Sequence, residues 1–207
     1  MNPSESTPRP KPILLVLSGP SGVGKDFVLN NLRARLTTNS LSVVVTNTTR
    51  PIRAREVQDA DYHFVTPAAF QEMIAANELL EYANVYGNWY GVSKKPVEAA
   101  LAAGKDTIIK VDVQGAKAIK HSMPRAILVF LMPASLSELT GRLQKRNTES
   151  PDDLARRLKT AEAEMMEISY FDYAVVNENG QVNRAIDCLE AIVTAEKLRV
   201  IPCEQHL

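Results

Sequence analysis

The sequence predicts an α/β fold, a three-layer core with a parallel sheet between helices, interrupted by a small, mostly β insert. Three observations point there. The apolar run "ILLVL" (13–17) leads into a glycine-rich loop and then a helix-patterned stretch. From residue 93 onward, short apolar runs alternate with helical patterns, the sign of parallel strands joined by helical crossovers. Between these parts, residues 47–92 carry several short β-like pieces.

The elements follow in order. "MNPSESTPRPKP" is rich in Pro and Ser and has no apolar h-region, so residues 1–11 are expected to be a mobile tail and not a secretory signal. "ILLVL" reads as a buried strand. "DFVLNNLRARL" follows the loop with helical spacing at Phe27, Leu29, Leu32 and Leu36. "LSVVVT" (41–46) is a second strand. In the insert, "DYHFV" (61–65), "LLEYANVY" (79–86) and "NWYGV" (88–92) read as strands, and "PAAFQEMIAANE" as a helix with Pro67 in its first turn. "KKPVEAALAAGK" is a helix ending at Gly104, "DTIIKVD" (106–112) a strand, and "VQGAKAIKHS" a helix. "RAILVFLM" (125–132) is a buried strand. Ser135 caps the next helix, and Glu138 three residues later predicts a capping box. Ser150 and Pro151 start "SPDDLARRLKTAEAEMMEI", "FDYAVVN" is the last strand, and 183–198 the last helix. Residues 12–207 thus make one domain, with core 12–46, 93–142 and 160–207, the insert 47–92, and a short helical segment 143–159.

Composition excludes several classes. Formal net charge is zero, which argues against a nucleic-acid coat. No apolar run approaches the ~18 residues of a membrane span. Cys188 and Cys203 form no CxxC and read as thiols of a reducing compartment, so a cytoplasmic protein is expected. His63, His121 and His206 lack zinc-site spacing.

"SGPSGVGKDF" (18–27) carries the chemistry. Gly19, Pro20, Ser21, Gly22, Val23, Gly24 and Lys25 fit the phosphate-loop pattern G-x-x-x-x-G-K. Glycines let backbone N–H groups form an anion nest, the helix behind it aims its positive end at phosphates, and Lys25 adds a point charge. Glycine-rich turns also occur without ligands; the strand before and helix after favour phosphate here. Asp26 stands where a hydroxyl is usual. A carboxylate there either ligates Mg²⁺, which suits a hard oxygen, or is neutralised by another cation. Unneutralised, it repels a phosphate by ~4 kcal/mol per charge pair at 4 Å with an effective dielectric of about 20. Lys110, in a strand that should be central, is the candidate cation; its alternative is to snorkel to solvent.

Taken together, "SGPSGVGK", "TTRPIR", "DYHFV", "LLEYANVYGNWYGV", "VDVQGA" and "FDYAVVN", in that order from residue 13 to about 198, resemble the guanylate kinase family. The resemblance implies a P-loop core, a nucleoside-monophosphate-binding insert and a mobile lid at 143–159. It implies transfer of the γ-phosphoryl of ATP to GMP with Mg²⁺, giving GDP and ADP. By resemblance Arg50 and Arg53 grip the GMP phosphate, a task that their fork geometry suits, with Tyr62 and Tyr90 donating hydroxyls. Glu81 reads the base, because a carboxylate accepts from the paired N1–H and N2–H₂ of guanine, which adenine lacks. Thr46 is a candidate hydroxyl for guanine O6. Asp112 is placed at the metal water or the acceptor nucleotide. Arg146 and Arg157 close onto the transferring phosphates, while Arg142 and Asn177 lie near adenine.

The chain also departs from the family at Asp26, Phe27, Arg55, Asp59, Val92 and Lys110. Val92 replaces a hydroxyl that often helps to read guanine, so a softer guanine preference is expected. The opposite signs of Asp26 and Lys110 motivate their pairing. The alternative function is a kinase-like module that binds phosphopeptides without catalysis; retention of Lys25 and the glycine loop argues against it. Small-molecule partners, ATP and GMP, are expected, with monomer and homodimer both open.

Overall fold

The computed structural model describes residues 11–35, 41–54, 56–144 and 151–200, with side chains in the helix starting at 151 described from 154. The tail 1–10, Arg55 and the stretch 145–150, which includes Arg146 and Ser150, lie outside the described residues.

Strand β1 (Leu14–Ser18) is buried along its whole length. It ends in the glycine loop, after which α1 (Lys25–Arg35) begins. Two short strands follow, β2 (Leu41–Val43) and β3 (Asn47–Thr48), then β4 (His63–Phe64). Helix α2 (Pro67–Ala75) starts with Thr66, whose side chain accepts from the Ala69 N–H at 3.1 Å. Strands β5 (Leu79–Val85) and β6 (Asn88–Ser93) form an antiparallel hairpin. The α/β alternation then runs through α3 (Lys94–Ala102), β7 (Asp106–Lys110), α4 (Val113–Ser122) and β8 (Ile127–Pro133). It closes with α5 (Leu136–Gln144), α6 (Pro151–Met165), a 3₁₀ turn at Met166–Tyr170, β9 (Tyr173–Asn177) and α7 (Val182–Lys197).

The main sheet has the order β2-β7-β1-β8-β9 and every pair in it is parallel. Both faces are covered, as a parallel sheet requires. Leu15, Leu17, Ile108 and Val129 pack on Leu32 of α1 and Ile186 and Leu189 of α7. Leu14, Val16, Ile109 and Leu128 point the other way, onto Val97 of α3 and Ile119 of α4. The second sheet, β4-β3-β6-β5, forms the insert. It holds Phe70 fully buried and stacked on Trp89 with ring centroids 6.0 Å apart. Among the described residues, no helix is long and apolar enough to cross a membrane.

Four local expectations are corrected. The strand expected over 41–46 stops at Val43, because the chain leaves the main sheet there; the Thr46 carbonyl already accepts from the His63 N–H of the insert at 2.9 Å. Phe27 is 59% exposed, since the buried stripe of α1 is Val28, Leu29 and Leu32. Ser135 does cap Glu138 N–H at 3.1 Å, but the Glu138 carboxylate turns to Arg142 one turn on, a charge-assisted partner that displaces the reciprocal bond. Asp112 lies beyond the strand: it is the N-cap of α4, accepting from the Gly115 N–H at 2.7 Å.

Candidate active site

The ends of β1 and β7 open side by side at one edge of the main sheet, and the insert faces them. This is where open α/β sheets place ligands. A cleft of about 190 Å³ lies between the two sheets. Of the residues singled out from sequence, it brings together Ser21, Gly22, Gly24, Lys25, Asp26, Thr46, Arg50, Arg53, Tyr62, Glu81, Tyr90, Asp112 and Arg157. Gly19, Pro20, Val23, Arg142 and Asn177 do not line it, and Arg146 lies outside the described residues.

The phosphate loop is shaped by steric necessity. Gly19 sits at φ 136°, where a Cβ would stand 2.1 Å from the Leu131 carbonyl oxygen. Gly24 sits at φ 98°, with room only for the Asn177 amide beside it. The Lys25 ammonium donates to the Gly19 carbonyl at 2.5 Å and the Pro20 carbonyl at 3.3 Å, curling over the loop. Burial pushes its pKa below the ordinary lysine value, while Glu164 opposes the shift. The loop is braced from behind. Arg142 donates to the Val23 and Asn177 carbonyls, both at 2.6 Å, and to the Asn179 side chain at 3.0 Å. Asn177 donates to the Val23 carbonyl at 2.8 Å. In this structure Arg142 and Asn177 are therefore supports of the loop, seated behind it.

Helix α6 reaches the same loop. Arg157, 7% exposed, donates to the Ser21 hydroxyl at 2.9 Å. Glu164 accepts from the Ser21 backbone N–H at 3.1 Å, and burial raises its pKa. Glu164 was not singled out from sequence. It is one of several acids in an amphipathic helix, and nothing in its spacing marks it.

Asp26 and Lys110 meet. The Lys110 ammonium pairs with the Asp26 carboxylate and lies 3.7 Å from the centroid of the Tyr62 ring. The Tyr62 hydroxyl makes a long bond of 3.4 Å to the same Asp26 oxygen. Burial works against the Lys110 charge, but Tyr62 and Asp26 outweigh it, and its pKa stands above the ordinary lysine value. Lys110 is 8% exposed, so it does not snorkel. Asp26 remains the residue here suited to Mg²⁺, because it offers a hard oxygen beside the phosphate loop.

On the insert, Arg50 is 9% exposed and forks onto Glu56, at 2.8 and 3.0 Å. Glu56 also accepts from the Arg53 backbone N–H at 2.9 Å, so one carboxylate gathers both arginines. Glu56 too was missed; the available signal was an acid three residues beyond Arg53. Tyr90 meets Tyr62 edge-on, with centroids 6.0 Å apart. The Thr46 hydroxyl donates to the Lys110 carbonyl at 3.1 Å.

Glu81 projects from β5 and is 7% exposed. Among the described residues, none donates to its carboxylate. Desolvation first, and repulsion from Asp112 second, push its pKa up to about 8.

A parallel core with a phosphate loop, an arginine-bearing insert and one cleft between them define a P-loop nucleoside monophosphate kinase. Comparison with known proteins places the chain within that class. The family model for guanylate kinase matches residues 11–196. The chain is 40% identical over 189 residues to a guanylate kinase of Carboxydothermus hydrogenoformans, covering 91% of each chain. It is 44% identical to one of Gloeobacter violaceus, covering 88% of this chain and 87% of that one. Its fold matches the crystal structure of guanylate kinase from Anaplasma phagocytophilum with a TM-score of 0.77 and 31% identity, covering 94% of this chain and 90% of that one. The chain belongs to the guanylate kinase family.

Proposed function

We propose that this protein moves the γ-phosphoryl group of ATP onto GMP, giving ADP and GDP. A GMP phosphate oxygen forms the new P–O bond as the bond to the ADP leaving oxygen breaks. The observation that carries this reading is one cleft with a phosphate loop on one wall and Arg50, Arg53 and the buried Glu81 on the other.

Transfer of this kind needs positioning and charge stabilisation more than covalent help. On the donor wall, the loop N–H groups, the N-terminus of α1 and Lys25 hold the triphosphate. Asp26 would hold Mg²⁺, whose positive charge would offset that of the phosphates. Arg157 and Arg146 are assigned to the group in transfer, and Arg142 and Asn177, which hold the loop from behind, to adenine. On the acceptor wall, Arg50, Arg53, Tyr62 and Tyr90 hold the GMP phosphate. Glu81 accepts from the two adjacent donors of guanine, with Thr46 and Asp112 beside it. The insert 47–92 and the segment 143–159 act as acceptor domain and lid, and ATP and GMP are the cytoplasmic small-molecule partners.

A coupled assay with ATP, Mg²⁺ and each of GMP, AMP, CMP and UMP tests the reading. GMP should be turned over far faster than the others. Equal turnover of GMP and AMP would remove the role of Glu81, and no turnover with GMP would remove the function.

A further inference from the structure

Helix α4 carries a glycine in its first turn that the helix itself does not need. Gly115 is not among the glycines with left-handed backbone angles. Glycine in a helix is less favourable than alanine. The reason for it lies across the interface with β5. A Cβ on Gly115 would stand 2.6 Å from Glu81 Oε2 and 2.9 Å from Glu81 Cδ, with Asp112 Oδ1 at 3.2 Å. Gly141, also in the middle of a helix, would meet nothing within 4 Å. The two glycines therefore differ in one respect, the carboxylate that occupies the space beside Gly115.

That carboxylate can shift only toward the cleft, whose wall it helps to form. Glu81 is paired in register with Val92 of β6, whose side chain is fully buried. Its own side chain is more than nine-tenths buried. The hole left by the missing methyl is thus part of its seat. We propose that Gly115 is a positioning residue for guanine recognition: by having no side chain it lets the Glu81 carboxylate lie against the first turn of α4, at the depth from which it meets the base. This rests on the reading that Glu81 accepts from guanine. Gly115 itself does not line the cleft. It acts through Glu81, and a methyl there displaces the far end of a flexible side chain without breaking the fold.

Gly115→Ala tests this, measured beside the unaltered protein. The Michaelis constant for GMP should rise roughly tenfold, the scale of one weakened hydrogen bond to a charged group. The turnover number and the Michaelis constant for ATP should stay within about twofold, the pattern of lost acceptor binding alone. The melting temperature should hold or rise, because alanine is the better helix former. Gly141→Ala should leave both Michaelis constants alone. A cycle with Glu81→Ala locates the effect: once the carboxylate is gone, adding Gly115→Ala should leave kcat/KM for GMP where it was. An unaltered Michaelis constant for GMP in Gly115→Ala overturns the proposal. So does an equal penalty in the Glu81→Ala background, which would place the effect in Asp112 or the helix. Failure of the unaltered protein to use GMP is a different result, and overturns the functional reading beneath it as well.

Discussion

The two walls of the cleft treat a carboxylate in opposite ways. On the donor wall, Asp26 is held by the Lys110 ammonium and the Tyr62 hydroxyl. On the acceptor wall, Glu81 is more deeply buried, has Asp112 for a neighbour and receives no donor among the described residues. On the proposed function, the difference follows from what each wall would meet. Phosphates bring negative charge, so an acid beside them has to be neutralised beforehand. A purine edge brings N–H donors, so an acid that waits for them gains most when nothing else in the protein satisfies it. Desolvation then acts as selectivity, because only a base with two adjacent donors draws the buried acid into its charged, accepting form.

The sharpest way to break this contrast is Lys110→Met. With the ammonium gone, Asp26 faces the triphosphate alone. The ~4 kcal/mol repulsion per charge pair at an effective dielectric of about 20 corresponds to kcat/KM for ATP falling on the order of a thousandfold. Adding Asp26→Ala removes the repulsion together with the metal ligand, so the double variant should fall no further than Asp26→Ala alone. Steady-state kinetics of the single and double variants decide it: strictly additive losses would mean that the pair is not one unit.

Glu81→Gln tests the other wall and should lower kcat/KM for GMP roughly a hundredfold, the scale of two impaired hydrogen bonds to a charged acceptor. It should also change how stability follows pH. The folded protein holds the Glu81 proton more tightly than the unfolded chain, with a pKa of about 8 against 4.5. The Glu81 contribution therefore falls as pH rises from the unfolded value toward the folded one, and is flat above it. Denaturation curves of the Gln variant should lose that slope, and at alkaline pH the variant should be the more stable protein. A variant that follows the same pH course as the unaltered chain would show that Glu81 is not the buried acid in question.

The smallest effect is expected for Tyr62→Phe. The ring under Lys110 stays, and the hydroxyl loses its long bond to Asp26 and its contact with Lys110, at about 1 kcal/mol each. The Michaelis constant for ATP should move only a fewfold. The Michaelis constant for GMP should rise by a similar amount, and one that does not move would remove Tyr62 from the acceptor phosphate.

Much of the site was legible before the structure, and for identifiable reasons. The phosphate loop is local: its glycines, its lysine and its flanking strand and helix fall within a few residues of one another. Arg50 and Arg53 lie three apart on a loop and Glu81 sits in an otherwise apolar stretch, while Tyr62 and Tyr90 were reached only through the family resemblance. The pairing of Asp26 with Lys110 could be anticipated because two departures of opposite sign, one of them inside a buried strand, suggest each other. Glu164 could not be singled out, and Glu56 offered only its place three residues beyond Arg53. Each is an ordinary acid in an ordinary segment, and its importance comes from the partner it reaches. Arg142 and Asn177 were assigned to the nucleotide, yet their observed contacts are with carbonyls of the loop and of β9.

By itself the sequence determined the alternation of strands and helices and the form of the phosphate loop. These are set by short-range patterns of burial, turn formation and charge along the chain. Only the tertiary structure decided which groups are already satisfied and which are left waiting. That Arg50 forks onto Glu56, that Lys110 closes on Asp26 and that Glu81 fills the space spared by Gly115 are facts about distance and desolvation between segments far apart in the chain. Hydrogen bonds and buried charges are decided within a few ångströms, and only the packing of one sheet against the other brings those groups that close.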